Sequence, residues 1–259
     1  MYNKTYNSSL LFKLKFLIIL FFSLYFTKLA KGSEIGEYIS DTKALLLSPQ
    51  SWERKDWIKA SSILCITGGL YVYDQKIKDW SQENRNITSN KIAGISKPFG
   101  DGKYTLPPLA LFYLYGHFYK NKKAENVALL SVKSFIISGV LTQTIERTGH
   151  RHRPNTGDLY NTWDGPGFSS SSLSFPSGHS SSAFAIATII ASEYKGAIPP
   201  LAYGIATLTA LSRINDNAHW ASDVFFGSCL GYFTAKGVIA LNSHKENAFI
   251  ILPSVIMVK

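Results

Sequence analysis

Three short polar clusters, each beside an apolar segment, hold the residues of this chain that are best suited to chemistry. They are ERTGHRHRP at 146–154, SFPSGH at 174–179 and SRINDNAHWASD at 212–223. Together they supply arginines, histidines, a carboxylate and the start of a predicted helix. Arginine donates paired hydrogen bonds to phosphate, and histidine can act as a nucleophile or an acid. This inventory suits binding a phosphate group and passing it through a histidine.

The apolar segments predict where the clusters lie in space. They span about 127–145, 180–192, 198–211 and 224–241, and each is long enough for a helix of three or more turns. The first cluster ends one segment, the second begins the next, and the third joins the last two. An up-and-down bundle therefore brings all three clusters to the same end.

We therefore predict an all-α fold, an up-and-down bundle of about six core helices with the active site at one end. Two of these helices are predicted at about 60–73 and 104–119, and the stretch 33–57 is interpreted as an amphipathic helix. Residues 33–259 are assigned to a single domain, whose motif-bearing part covers about 100–240.

The first 32 residues are typical of an export signal. Lysines precede an uncharged apolar run at 16–26, and Ala30-Lys31-Gly32 offers small residues at the spacing that a signal peptidase reads. The run is shorter than a membrane-spanning helix of about 20 residues, which favours cleavage over an uncleaved anchor. We expect an exported protein of the cell envelope, in the membrane or periplasm, with its active site on the outer side of the inner membrane.

Composition narrows the range of partners. The formal net charge is +10, and the five lysines of the first 32 residues supply half of it. The remaining excess suits an anionic substrate or a membrane surface, and the lack of a long basic run argues against nucleic acid binding. Charged residues make up 17% of the chain, against roughly 25% in soluble domains. The uncharged stretches are nevertheless mostly shorter than a membrane span, so an integral membrane protein and a soluble or peripheral one both stay open.

Nothing in the sequence predicts a metal site or another cofactor. Cys65 and Cys229 lie in apolar surroundings and are interpreted as buried free thiols, and there is no C-x-x-C pair. His219 and Asp223 could form half of a metal site, but no third ligand stands at a suitable spacing.

The arginines are the main candidates for binding phosphate. Arg153 and Arg213 are expected to contact it, with Arg147 or Arg151 in support. The alternative is that the arginines of the first cluster pair with loop carboxylates such as Asp158.

The segment PSGH opens a predicted helix, whose N-terminal N–H groups can bind an anion. Gly178 would let the ligand approach closely, Ser177 would add a hydroxyl donor, and His179 would point at the phosphate. The alternative is ordinary capping by Ser177.

His219 and Asp223 are four residues apart and share a helix face, so the carboxylate could accept the Nδ1–H and leave Nε2 free as a nucleophile. Alone, such a pair would more often lie on the surface.

The combination of R-P, P-S-G-H and S-R-x₅-H-x₃-D resembles the type 2 phosphatidic acid phosphatase/vanadium haloperoxidase superfamily over about residues 100–240. The resemblance implies an all-helical fold and a phosphohistidine intermediate formed without a metal ion. It implies that His219 is the nucleophile, that Asp223 orients it and that His179 is the general acid. Arg153, Ser177, Gly178 and Arg213 are the implied phosphate ligands.

The first motif departs from the family pattern. The family usually has a lysine seven residues before the R-P arginine, and this chain has Glu146 there. Arg147 is adjacent and would supply the missing charge if the helix end shifted by one residue. A carboxylate at this position weighs against the haloperoxidase branch, where bound vanadate needs dense positive charge.

The leading interpretation is an envelope phosphatase that acts on phosphate monoesters or diphosphates of lipids. One alternative is an exported non-specific acid phosphatase of soluble phosphomonoesters, and another is a catalytically inactive relative that binds anionic lipid headgroups. The long loop at 155–172 carries Tyr160, Trp163 and Phe168. These aromatic residues are interpreted either as a lid over a lipid chain or as packing onto the bundle.

Overall fold

The computed structural model describes residues 33–168 and 172–251, so the export segment at 1–32 lies outside the described residues. The described part contains no β-strand, and its one isolated bridge joins Arg151 to Trp163. The predicted all-α class is therefore confirmed. The helices are α1 Ser33–Leu47, α2 Arg54–Glu83, α3 Ile87–Ser96, α4 Gly102–Phe118, α5 Lys122–Gly149, α6 Gly178–Glu193, α7 Ile198–Asn215 and α8 Ala221–Ile251.

The four apolar segments that flank the motifs all form helices, which are α5 to α8. The helix predicted at 60–73 is longer than expected, since α2 continues to Glu83. A further helix, α3, occupies part of the polar stretch that follows. Its N-terminus is capped by Asn86, whose side chain accepts hydrogen bonds from the backbone of Thr88 and Ser89.

Helix α6 lies at the centre of the bundle and packs against α5, α7 and α8. Its apolar face joins a core cluster that includes Val127, Ile189 and Val238. Gly227 and Gly231 allow α8 to approach α6 closely. A Cβ atom on Gly227 would lie only 2.5 Å from the carbonyl oxygen of Ser177, so a larger residue would not fit there. The start of α6 is therefore held firmly inside the bundle.

The three polar clusters meet at one end of the bundle, as the topology predicts. Helix α5 ends at His150, which has a left-handed φ of 46° and donates its N–H to the carbonyl of Glu146. The backbone N–H of Ser174 donates to the Arg151 carbonyl, and that of Ser177 donates to the Asp223 carbonyl. These bonds join each cluster to another.

Much of the outer surface is apolar. Trp57, Leu64, Val72 and Trp80 of α2 are each more than half exposed. Lys122–Gly149 and Ala221–Ser243 are long and apolar enough to cross a membrane, by length and composition alone. Cys65 is also exposed, so the expectation that both cysteines are buried is wrong, because this face of α2 points away from the bundle.

Candidate active site

His219 is buried in the connection between α7 and α8. Its Nδ1 lies 2.8 Å from the Ser174 carbonyl oxygen and 3.9 Å from Oδ2 of Asp223. The predicted hydrogen bond to the carboxylate is therefore replaced by one to the backbone. Burial, followed by the charges of Arg153 and Arg213, lowers the pKa of His219 well below its usual value. The lowered pKa favours the neutral ring. Because a carbonyl oxygen can only accept, Nδ1 carries the proton and Nε2 keeps the lone pair.

Asp223 stabilises the surroundings of His219. The carboxylate is fully buried and accepts hydrogen bonds from Oγ of Ser174 at 2.6 Å and the backbone N–H of Trp220 at 2.9 Å. It also accepts one from Nη1 of Arg151 at 2.5 Å. Asp223 therefore fixes the residue next to His219 and the residue whose carbonyl orients its ring.

His179 is the second residue of α6, at the same end of the bundle. Its Nε2 is buried and has no hydrogen-bond partner among the described residues. Burial is the main cause that lowers its pKa to about 4, and the positive charge of Arg213 adds to this effect, whereas the charge of Asp101 opposes it. A bound anion would offset these effects and raise the pKa of His179.

Arg153 and Arg213 create a positive field around both histidines. Arg153 donates from Nε and Nη2 to the Leu173 carbonyl, which fixes its guanidinium. Arg213 lies 3.3 Å from Asp216 through Nη1, while its Nε is buried and has no hydrogen-bond partner in the described part of the chain. Two buried polar atoms, one on Arg213 and one on His179, thus have unused hydrogen-bonding capacity at this end of the bundle.

Ser177 caps α6, which is the alternative to phosphate binding that the sequence left open for this residue. Its Oγ is buried and accepts from the backbone N–H of Ser180 at 3.4 Å and from the Ser180 hydroxyl at 3.0 Å. The N–H groups of Gly178 and His179 lie at the N-terminus of α6, where a helix can bind an anion. A Cβ atom on Gly178 would meet only Thr142, at an ordinary contact distance of 3.7 Å, so packing alone does not require glycine there.

Glu146 and Arg147 point in different directions at the end of α5. Glu146 is buried, accepts from Nε2 of Gln143 at 2.8 Å and interacts electrostatically with Arg153. Arg147 donates to the Phe168 carbonyl and lines a surface pocket with Val140. The structure therefore does not bring Arg147 to the other phosphate-binding candidates, and the family's lysine position is occupied by a carboxyl group.

Arg151 does not face the phosphate site either. Its side chain is fully buried and forms ion pairs with Asp223 and with Asp74 of α2. The expected partner of this cluster, Asp158, instead contacts His152 at 2.7 Å. The hydrogen bonds that His152 donates to the carboxylates of Asp158 and Asp164 raise its pKa. Sequence reasoning missed Asp74, although a carboxylate at the end of an uncharged stretch of 14 residues was a signal.

The aromatic residues of the long loop separate into two groups. Tyr160 and Trp163 pack onto α2, where Nε1 of Trp163 donates to the Tyr71 hydroxyl at 3.1 Å. Phe168 is 94% exposed. Of these three aromatic residues, only Phe168 is therefore placed where it is free to contact another molecule.

Among residues 33–168 and 172–251, no group of three or more His, Cys, Asp or Glu side chains could hold a metal ion.

Two known proteins that this chain resembles are phosphatases. Over 66 residues, 24% of this chain, it is 46% identical to a lipid A 1-phosphatase of Porphyromonas gingivalis, of which the match covers 15%. Over 147 residues, 51% of this chain, it is 31% identical to phosphatidylglycerophosphatase B of Bacillus subtilis, of which the match covers 66%. The matched parts thus span less than two thirds of either relative.

A solved structure has the same fold. The crystal structure of a transmembrane PAP2 type phosphatidylglycerolphosphate phosphatase from Bacillus subtilis superposes with a TM-score of 0.53 and 23% identity, over 71% of this chain and 96% of that one. Residues 127–246 match the PAP2 superfamily, and this segment contains both histidines, Asp223 and the two arginines of the site. The resemblance that the three motifs predict is therefore confirmed over residues 127–246.

Proposed function

We propose that this chain is a phosphatase that hydrolyses phosphate monoesters or diphosphates of lipids through a phosphohistidine at His219. One observation carries the proposal: the buried Nε2 of His179 and Nε of Arg213 lack partners among the described residues at the end of the bundle that holds His219. A phosphate group would accept hydrogen bonds from both. Arg153 adds a second guanidinium with a fixed position.

In the first step, the Nε2 lone pair of His219 attacks phosphorus, and the bond from phosphorus to the ester oxygen breaks. His179, protonated once the phosphate is bound, donates its proton to the leaving oxygen. The Ser174 carbonyl stabilises the positive charge that develops on the His219 ring. Arg153, Arg213 and the N-terminus of α6 stabilise the negative charge on the phosphoryl oxygens.

In the second step, water attacks the phosphohistidine. The neutral His179 accepts a proton from that water, the N–P bond breaks, and inorganic phosphate leaves with both histidines restored. The side chains of this chain supply every proton transfer in the cycle, and we propose that it needs no metal ion. Trigonal vanadate, which resembles the transition state, is expected to inhibit.

An apolar cavity supports a lipid substrate. It has a volume of about 430 Å³ and lies between α4, α6 and α7, with Phe99, Phe112, Ile186 and Ile205 in its walls. It also contacts Ala183, which follows His179 by one helical turn. A chain attached to a phosphate at His179 would therefore have an apolar path to follow, which a soluble phosphomonoester would not need.

Membrane attachment is the second part of the proposal. Much of the outer surface is apolar, α5 and α8 contain segments that could cross a membrane, and the solved relative is described as transmembrane. We propose that the active-site end of the bundle lies at one membrane surface. The apolar run at 16–26 favours export and hence the outer surface.

The test compares phosphate release from phosphatidate in mixed micelles and from a soluble aryl phosphate, using wild type and His219→Ala. We expect faster release from the lipid, and loss of turnover in the variant. His179→Ala should lower turnover by about 10²–10⁴-fold. Preference for the soluble ester would support the acid phosphatase, and lipid binding without release would support the inactive relative. Substantial turnover by His219→Ala would refute the mechanism.

A further inference from the structure

Asp74 of α2 is a fully buried carboxylate that belongs to none of the three motif clusters. It accepts a hydrogen bond from Nη2 of Arg151 at 2.7 Å, and from the backbone N–H and Oγ of Ser222 at 2.9 and 2.5 Å. Ser222 is the residue before Asp223. Asp74 is thus linked to the His219 region through two side chains and one backbone N–H group.

Arg151 has every side of its guanidinium occupied. Nη1 donates to Asp223 and to Oγ of Ser222, while Nε and Nη2 donate to the Tyr160 carbonyl. The rings of Tyr71 and Trp220 lie 4.7 and 5.4 Å from its central carbon. This arginine therefore connects two carboxylates inside the protein and has no donor left for a phosphate.

We propose that Asp74 is a positioning residue for the reaction, which acts on His219 through Arg151, Ser222 and Asp223. Asp223 holds Ser174 by its hydroxyl, and the Ser174 carbonyl orients the His219 ring. A shift of Asp223 would therefore move the hydrogen-bond acceptor of the nucleophile. This inference rests on the proposed function, because it concerns the same histidine.

The charges of this network make the inference testable without unfolding the protein. Two buried carboxylates, Asp74 and Asp223, share the single positive charge of Arg151. Asp74→Asn removes one negative charge and leaves a neutral Arg151–Asp223 pair, so no buried charge loses its partner. The substitution weakens the hydrogen bonds to Arg151 and Ser222, while asparagine has nearly the same volume as aspartate. Misplacing a reacting group by about 1 Å can cost about 10²-fold in rate.

The experiment measures kcat and the inhibition constant of inorganic phosphate for wild type, Asp74→Asn and Asp79→Asn. Asp79 lies on the same helix, is exposed and bonds to Gln75 and Lys78, so it is the matched control. We expect Asp74→Asn to lower kcat by about 10–100-fold, with little change in phosphate inhibition, since Arg153 and Arg213 are untouched. The control should match wild type.

Ser222→Ala provides an independent variant. It removes the hydroxyl contacts to Asp74 and Arg151 without a change of charge, and should lower kcat by about 2–10-fold, the worth of one hydrogen bond. If Asp74→Asn does not fold, this variant decides the question.

Three outcomes would overturn the inference. Wild-type kcat in the variants would refute it while leaving the proposed function intact. Equal losses of kcat and phosphate affinity would show general damage rather than positioning. A wild-type protein without phosphatase activity would refute the proposed function itself, and the inference with it.

Discussion

Glu146 places a carboxyl group beside the cations that we propose bind phosphate. It is only 4% exposed and lies within the electrostatic influence of Arg153 and Asp223. An ionised carboxylate here repels the phosphate and partly neutralises the field of Arg153, with which it interacts electrostatically. When Glu146 is ionised, the other site residues must offset a repulsion that a lysine at this position would not create.

We expect Glu146→Gln to tighten substrate binding. The amide keeps the size and the acceptor for Gln143 but removes the negative charge, so the KM for the phosphate ester should fall by about 3–10-fold with a small change in kcat. Steady-state kinetics at alkaline pH, where the carboxyl group is ionised, would measure it. Glu193→Gln, at the opposite end of α6, is the control. An increase in KM would show that Glu146 assists binding.

The spacing of the motifs along the sequence predicted which candidate site residues lie at the same end of the bundle, because this depends only on the order of the helices. His179, His219, Arg153 and Arg213 stand at helix ends that an up-and-down bundle must bring together. The direction of Arg147 could not be predicted, because adjacent residues of a helix point about 100° apart and the rotation of α5 is set by packing. The contact between His219 and the Ser174 carbonyl depends on how two loops close.

At the scale of elements, the 3-10 turn Lys97–Gly100 and the start of α4 hold two opposite charges near His179. A Cβ atom on Gly100 would lie 2.5 Å from the His179 carbonyl oxygen, so only glycine allows this close approach. The charge of Lys97 lowers the pKa of His179, and that of Asp101 raises it. This turn therefore adjusts the protonation of the proposed general acid.

We expect substitutions of these two residues to shift the pH profile in opposite directions. Protonated His179 is needed, so kcat/KM should fall as the pH rises through the pKa of His179 in the free enzyme. Lys97→Gln raises that pKa and moves the decline to higher pH. Asp101→Asn lowers it and moves the decline to lower pH, while asparagine still caps α4. Profiles over about pH 3–7, on both sides of that pKa, would show both shifts.

Lys103→Gln is the control for this pair, because Lys103 is exposed on α4 and rests against Tyr104. Its profile should follow wild type. Shifts of the same sign in Lys97→Gln and Asp101→Asn would contradict the role of this turn.

Apolar periodicity could not predict the full length of α2 or the presence of α3, for physical reasons. The apolar pattern of α2 ends at Tyr73, but the next residue, Asp74, points inward to a buried partner and the helix continues. Helix α3 is short and mostly exposed, so it has little apolar periodicity. Its cap was nevertheless visible, since Asn86 is followed three residues later by Ser89, whose hydroxyl accepts from the Asn86 backbone.

At the scale of the whole molecule, a buried ion cluster attaches α1 to the bundle. Lys133 lies within the apolar part of α5 and is 6% exposed. Its Nζ contacts Glu37 at 2.6 Å and also contacts Asp41, both on α1. A charged lysine in such a helix is costly unless it is paired, and α1 supplies the carboxylates that pair with it.

We expect Lys133→Met to destabilise the protein by about 3 kcal/mol, because it removes the buried cation that pairs with the Asp41 carboxylate. In detergent, the thermal unfolding midpoint should fall by about 6–12 °C. Lys133→Met with Asp41→Leu replaces the pair by apolar groups and should recover most of that loss, since Glu37 is partly exposed. If the double variant is no more stable than Lys133→Met, the ion cluster does not attach α1 to the bundle, and other contacts must hold α1 in place.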